Sequence, residues 1–185
     1  MQERRQKILD ATLEVLAQNG LAHLTHRAID AHAGLPAGST SYYFSKKADL
    51  IAGAADHLVW LMEDDCRLVK ERFAELIAEG RRDDAIDYVA DDLLEYGKTK
   101  SDWLLARFEL TLAGVRTTEL RPIADQLSAA AQEPIAFFLK LLSSELSTEQ
   151  VEACMGILDG LALIAATGQG PAPTKDQIKR LFLSV

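Results

Sequence analysis

Residues 25–50, THRAIDAHAGLPAGSTSYYFSKKADL, constrain the fold more than any other part of the chain. They predict a short helix, a glycine-centred turn, a second short helix and a lysine-rich start to a third. Thr25 stands before the first apolar positions as an N-cap, its oxygen accepting a free backbone N–H. Ala28, Ile29, Ala31 and Ala33 follow on the first short helix. Gly34 ends it, where a residue of positive φ is wanted. Leu35 points back to the core, and Pro36 suits the first position of a new helix, where its missing N–H costs nothing. Residues 37–44 then form the second helix, with small and hydroxylated residues outermost, so that a backbone there can approach DNA closely. Two short helices across such a turn make a helix-turn-helix, whose second helix lies in the major groove.

The segment resembles the DNA-binding domain of the TetR family of bacterial transcriptional regulators. Thr25, Arg27, Ile29, Ala33-Gly34, Gly38, Tyr43-Phe44, Lys47 and Leu50 carry the resemblance in order and spacing. It covers roughly residues 3–50, and the rest of the chain is similar in length and helical layout. The stretches 107–112 and 119–122 look like one subgroup's ligand domain. The resemblance implies an all-α chain with a three-helix headpiece at 1–50 and a helical ligand-binding and dimerisation domain at 51–185. It places Arg27 and the stretch Ala37, Gly38, Ser39, Thr40 near bases. Thr25 sits at the same surface, with His26, Tyr42 and Lys47 near phosphates and Tyr43 at the groove edge. Three positions depart from the family pattern. Pro36 stands where a serine usually opens the recognition helix. Asp30 replaces a small apolar residue, so its carboxylate must be solvated or paired. Ser41 replaces a phosphate-gripping tyrosine, leaving that contact either to Tyr42 or unmade.

The formal net charge of -8 looks wrong for a DNA binder. Its distribution removes the conflict. The first 50 residues carry six Lys/Arg against five Asp/Glu, leaving 14 and 23 for the remainder. Acid is thus segregated away from the DNA face, where it would repel phosphates. A weakly basic headpiece predicts modest non-specific binding, with affinity resting on two headpieces acting together.

Other function classes find little support. No glycine-rich phosphate loop, nucleophile elbow or zinc motif occurs. His23 and His26 straddle a helix entry without a third ligand, and His57 beside Asp56 is an isolated pair. No enzyme, metal or cofactor is expected. No apolar run of about 18 residues predicts a membrane span, and the opening residues lack the apolar stretch of a signal peptide. A cytoplasmic chain is expected, with Cys66 and Cys154 as free thiols.

Outside the helix-turn-helix, helical periodicity covers 3–18, 47–79, 83–99, 102–116, 120–144, 148–167 and 174–184, with Pro134 expected to kink or interrupt its helix. The stretch 103–115 is apolar on all sides and is expected to be buried on all sides. Arg107, Glu109 and Thr111 interrupt it. Arg107 and Glu109 are either internal salt-bridge partners or polar anchors of a ligand pocket. Trp60, Trp103, Phe108 and Phe137 are the apolar pocket candidates, each also readable as core.

The 148–167 segment carries two apolar stripes. One is Val151, Met155, Leu158, Ala162 and Ala165. The other is Gly156, Gly160 and Ile164 beside Ala153 and Ile157. Glycines four apart permit close helix approach. The last helix offers Ile178, Leu181, Phe182 and Val185. The resemblance implies that these two helices pair with their copies in a four-helix homodimer interface; the alternative is burial within one subunit. The expected function is a ligand-responsive regulator, most simply a repressor, bound to a palindromic double-stranded DNA operator and released by a small-molecule effector. The alternative is a helical DNA-binding regulator controlled by a protein partner, without a small-molecule pocket.

Overall fold

The computed structural model describes residues 2–184; Val185 lies outside them. Among the described residues the elements are all helical, in the order α1 (Gln2–Asn19), η1 (Leu21–His23), α2 (His26–His32), α3 (Ser39–Tyr43), α4 (Lys47–Ala78), α5 (Arg82–Thr99), α6 (Ser101–Arg116), η2 (Thr118–Leu120), α7 (Arg121–Leu142), α8 (Thr148–Thr167) and α9 (Lys175–Leu183), where η marks a 3-10 turn. The all-α expectation holds. Local signals account for most boundaries. Ser147 with Gln150 and Thr174 with Gln177 form reciprocal capping boxes at the starts of α8 and α9.

One helical expectation changes. The recognition helix occupies Ser39–Tyr43 rather than 37–44. Gly38 adopts φ 92°, a left-handed conformation that cannot continue a right-handed helix, so the helix begins one residue later. Pro134 lies inside α7 without interrupting it. The missing N–H removes one hydrogen bond, and the rest of the helix persists around it.

Packing divides the chain into two units, Met1–Leu61 with Asp102–Ser128, and Met62–Ser101 with Ala129–Val185. Helix α6 and the start of α7 therefore fold with the headpiece, a grouping that a linear split at residue 50 does not contain. In the first unit, Ile8, Leu16, Leu24, Ile29, Leu50, Leu58, Leu110 and Leu127 are fully buried. At Gly114 on α6, an added Cβ would lie 2.4 Å from the Ala124 Cβ on α7 and 3.1 Å from the Leu120 carbonyl oxygen. The absence of a side chain sets that helix spacing.

The second unit is built on Phe73, Ile86, Val89, Phe138, Leu139 and Phe182, with Val151, Cys154, Leu158 and Ile178 in the same cluster. Four of the residues expected at a dimer interface, Val151, Leu158, Ile178 and Phe182, are thus core residues of one subunit. Their side chains are consumed by α5 and by each other's helices. Met155 and Leu181 are partly buried against the same core, and Ala162 is half-buried. The other stripe of α8 stays open: Gly156 and Gly160 are exposed, and an added Cβ at either would meet nothing within 4 Å. Because both stripes are apolar, α8 is, against expectation, long and apolar enough by composition to cross a membrane, with mean hydropathy 1.3. Only 17% of that stretch is buried within the chain.

The thiols of Cys66 and Cys154 are free. Burial pushes Cys66 up to about 12 and raises Cys154 as well, so neither is a ready thiolate.

Candidate nucleic-acid interface

The helix-turn-helix is assembled by backbone rules and one long reach. Thr25 Oγ1 accepts the Ala28 N–H at 3.1 Å, as its N-cap position requires. At the other end of α2, Gly34 takes φ 62° and donates to the Ala31 carbonyl, while Leu35 N–H reaches the Asp30 carbonyl at 2.8 Å. This double bond pattern closes the helix and fixes the direction of the turn.

The start of α3 has no cap of its own, because Gly38 lacks a side chain and Pro36 lies outside the helix. Asp30 supplies it from α2. One carboxylate oxygen accepts the Gly38 N–H at 2.7 Å; the other accepts the Thr40 N–H at 2.8 Å and the Thr40 hydroxyl at 2.6 Å. Asp30 is buried, which by itself raises its pKa. The bonds from Thr40 and Gly38, together with the nearby His26, outweigh burial and hold the carboxyl below its ordinary range. The buried acid is therefore fully partnered, as burial of a charge demands.

The same geometry corrects one expected contact. Thr40 is completely buried, with its hydroxyl committed to Asp30, so it is a structural residue and not a base reader. His26 also turns inward in part: its Nε2 is buried and has no hydrogen-bond partner among the described residues. Thr25, Arg27, Ala37, Gly38 and Tyr42 are exposed, Tyr42 to 76%. Ser39 is half-buried and donates to the Pro36 carbonyl; Ser41 donates to that of Gly38. Tyr42 and Tyr43 meet edge to face at 5.2 Å, so each ring restricts the other. Phe44 closes the motif from the inside. Its ring lies where a Cβ on Gly53 would be 2.8 Å away, and the Arg5 guanidinium stands 5.1 Å from the ring centroid. Lys47, exposed at the start of α4, donates to the Leu21 carbonyl at 2.9 Å.

Two bonds tie the motif to α1. His32 meets Glu14 at 2.5 Å and His57 meets Asp10 at 2.6 Å. Glu14 and Asp10 are one helical turn apart, so a single face of α1 holds both α2 and α4.

The chain matches a model of bacterial regulatory proteins of the tetR family over residues 8–54, and one of the tetracyclin repressor-like C-terminal domain over residues 80–185. The chain belongs to the TetR family. It is a helix-turn-helix DNA-binding transcriptional regulator. Among TetR relatives, it is 26% identical over 181 residues to the HTH-type transcriptional regulator BetI of Burkholderia thailandensis, covering 95% of this chain and 88% of that one. A second match, to BetI 1 of Chromohalobacter salexigens, is 38% identical over 61 residues, spanning 33% of this chain and 30% of that protein. The multidrug binding protein EbrR, solved with malachite green, superposes with a TM-score of 0.68 at 28% identity, covering 98% and 97% of the two chains. Both sequence relatives are transcriptional regulators, and no group of residues suited to a metal occurs among those described.

The expected sensor residues belong to both units. Trp60 is 53% exposed and stacks on His57, 5.9 Å between ring centroids. Phe137 belongs to the second unit, where it contacts Phe138 and Lys70, whereas Trp103, Arg107 and Phe108 belong to the first. Arg107 is buried with its guanidinium 4.2 Å from the Phe108 ring centroid. Helix α6 is not buried all round, since Leu112 and Val115 are exposed beyond its core-facing residues. The observed bond of Glu109 is to backbone: it accepts the Leu21 N–H at 2.7 Å. The role of Asp30 had one sequence signal, the lack of any capping side chain at 36–38. The role of Glu109 had none.

Proposed function

We propose that this regulator is a ligand-responsive repressor that binds a palindromic operator as a homodimer and releases it when a small molecule binds. The observation that carries the reading is the rigid presentation of α3. Its N-terminus is capped by Asp30, while Arg27, Ala37, Gly38 and Tyr42 remain exposed around it. Arg27 reads a base edge, and Tyr42 and Lys47 contact phosphates; Tyr42 takes the place left by Ser41.

Dimerisation rests on the open stripe of α8. Gly156 and Gly160 are exposed beside Ile157, 50% exposed, and Leu163, 42% exposed. A second copy covers this face and sets two recognition helices one DNA turn apart, ~34–36 Å. The sensor reading draws on the likeness to EbrR, solved with ethidium, proflavin and malachite green. Trp103, Arg107 and Phe108 on α6 are the residues proposed to meet the effector. A ligand that favours mis-spaced headpieces lowers operator affinity by its coupling free energy, typically about 1–3 kcal/mol.

Selection of bound duplexes from a random pool, repeated with ethidium, proflavin and malachite green, tests this. A two-fold symmetric sequence is expected to be enriched, and at least one dye to release it. Enrichment of a site that no dye releases favours control by a protein partner; enrichment of no sequence removes operator recognition.

A further inference from the structure

The turn that joins α1 to α2 is held from outside the headpiece sequence. Gly20 is the N-cap of η1 and offers no side chain, so the Leu21 N–H has no local acceptor. Glu109 on α6 provides one, at 2.7 Å. Gly20 itself makes room for it: with φ 74°, an added Cβ would stand 3.2 Å from Glu109 Oε1. The other side of the same residue is equally committed. The Leu21 carbonyl accepts the Leu24 N–H at 3.3 Å and the Lys47 ammonium at 2.9 Å. Leu24 is fully buried, and the next residue, Thr25, caps α2. One amino acid thus meets α6 through its N–H, and α4 and the entry to α2 through its carbonyl.

We infer that Glu109 is a positioning residue for DNA binding, the strut by which α6 fixes the junction of α1, α2 and α4. A carboxylate is suited to the task, because a charge-assisted bond to a backbone N–H is stronger and more directional than a neutral one. A displacement of α6 that withdraws the carboxylate frees the 20–24 turn. It thereby loosens the Lys47 ammonium and the capped start of α2 without breaking the buried core of the unit. The inference rests on the operator-binding reading above.

The test compares Glu109→Leu, Glu109→Asp and Glu109→Gln in the full chain. Operator affinity is read on the selected duplex, and hydrogen exchange across 20–27 and across α6. Glu109→Leu is expected to weaken operator binding by about tenfold or more, the scale of one bond to a charged group, and to speed exchange in 20–27 while α6 stays protected. Glu109→Gln, which keeps an acceptor oxygen, is expected to retain most of the affinity. Wild-type affinity in Glu109→Leu overturns the inference, as does exchange that rises equally through α6. If Glu109→Leu does not fold, Glu109→Asp keeps the charge but withdraws it by one methylene. A smaller loss of affinity in the same direction is then expected, and an unchanged affinity overturns the inference. If the wild-type chain selects no duplex, the operator reading fails instead. Exchange in 20–27 then decides this inference alone: acceleration in Glu109→Leu supports it and no change overturns it.

Discussion

Asp30 caps the recognition helix through Thr40, accepting both its N–H and its hydroxyl on a single carboxylate oxygen, at 2.8 and 2.6 Å. The two helices of the motif are therefore joined by buried charge-assisted hydrogen bonds in addition to the turn between them. Their relative orientation is set by a side chain as well as by Gly34.

Asp30→Ala is expected to cost about 1–3 kcal/mol, since it leaves buried donors on Gly38 and Thr40 without an acceptor, and to weaken operator binding in parallel. Acid reproduces the effect. Because folding lowers the Asp30 pKa, its stabilisation is fully present above the ordinary value of 3.8 and is lost as pH falls through the lower folded value. Thermal melting of wild type and variant between pH 2 and 7 checks both; equal acid sensitivity in the two proteins contradicts the assignment.

Arg27→Ala and Lys47→Ala are expected to fail differently. Arg27→Ala should relax preference at one base pair by about 1–3 kcal/mol. Lys47→Ala should weaken all sequences and flatten the salt dependence by about one unit of slope. Affinities over a series of operator variants and salt concentrations separate the two patterns.

Gly156→Leu with Gly160→Leu is expected to give folded monomers. Neither new Cβ meets a neighbour within the subunit, so the fold has room for it, while close approach by a second α8 is blocked. Sedimentation together with circular dichroism reads this outcome; an intact dimer would take the open stripe out of the interface.

Gly114→Ala should be among the most damaging single-methyl changes in the first unit. Its Cβ would overlap Ala124 at 2.4 Å with a backbone oxygen at 3.1 Å behind it. Overpacking of this kind costs about 1–3 kcal/mol. A melting temperature within a degree of wild type would show that α6 and α7 separate easily.

Asp92 supplies a pH prediction for the second unit. Burial, and secondarily the nearby Asp65, raise its pKa to about 6. A raised carboxyl pKa contributes stability below the unfolded value that is lost as pH rises through about 6. Asp92→Asn is therefore expected to stabilise the protein at pH 7–8 and to flatten its pH dependence between 4 and 7. Denaturant titrations at several pH values measure it, and a variant less stable than wild type at pH 8 would mean that the Asp92 charge has a favourable partner.

The sequence by itself determined the helices and their punctuation. The Thr25 cap, the left-handed Gly34 and the two apolar stripes of α8 all follow from residues within about four positions of one another, the range over which helical hydrogen bonds and side-chain periodicity act. Tertiary structure decided what lies beyond that range. Val151 and Leu158 are core while Gly156 and Gly160 stay open, because α5 and α9 pack on one apolar stripe of α8 and not the other, a choice both stripes permitted. Thr40 reads as a surface residue on a recognition helix until Asp30 claims its hydroxyl from the preceding helix. Glu109 reads as a salt-bridge partner or a pocket anchor, and the fold of α6 beside the headpiece brings it to the Leu21 N–H, an acceptor for a donor that its own turn could not satisfy.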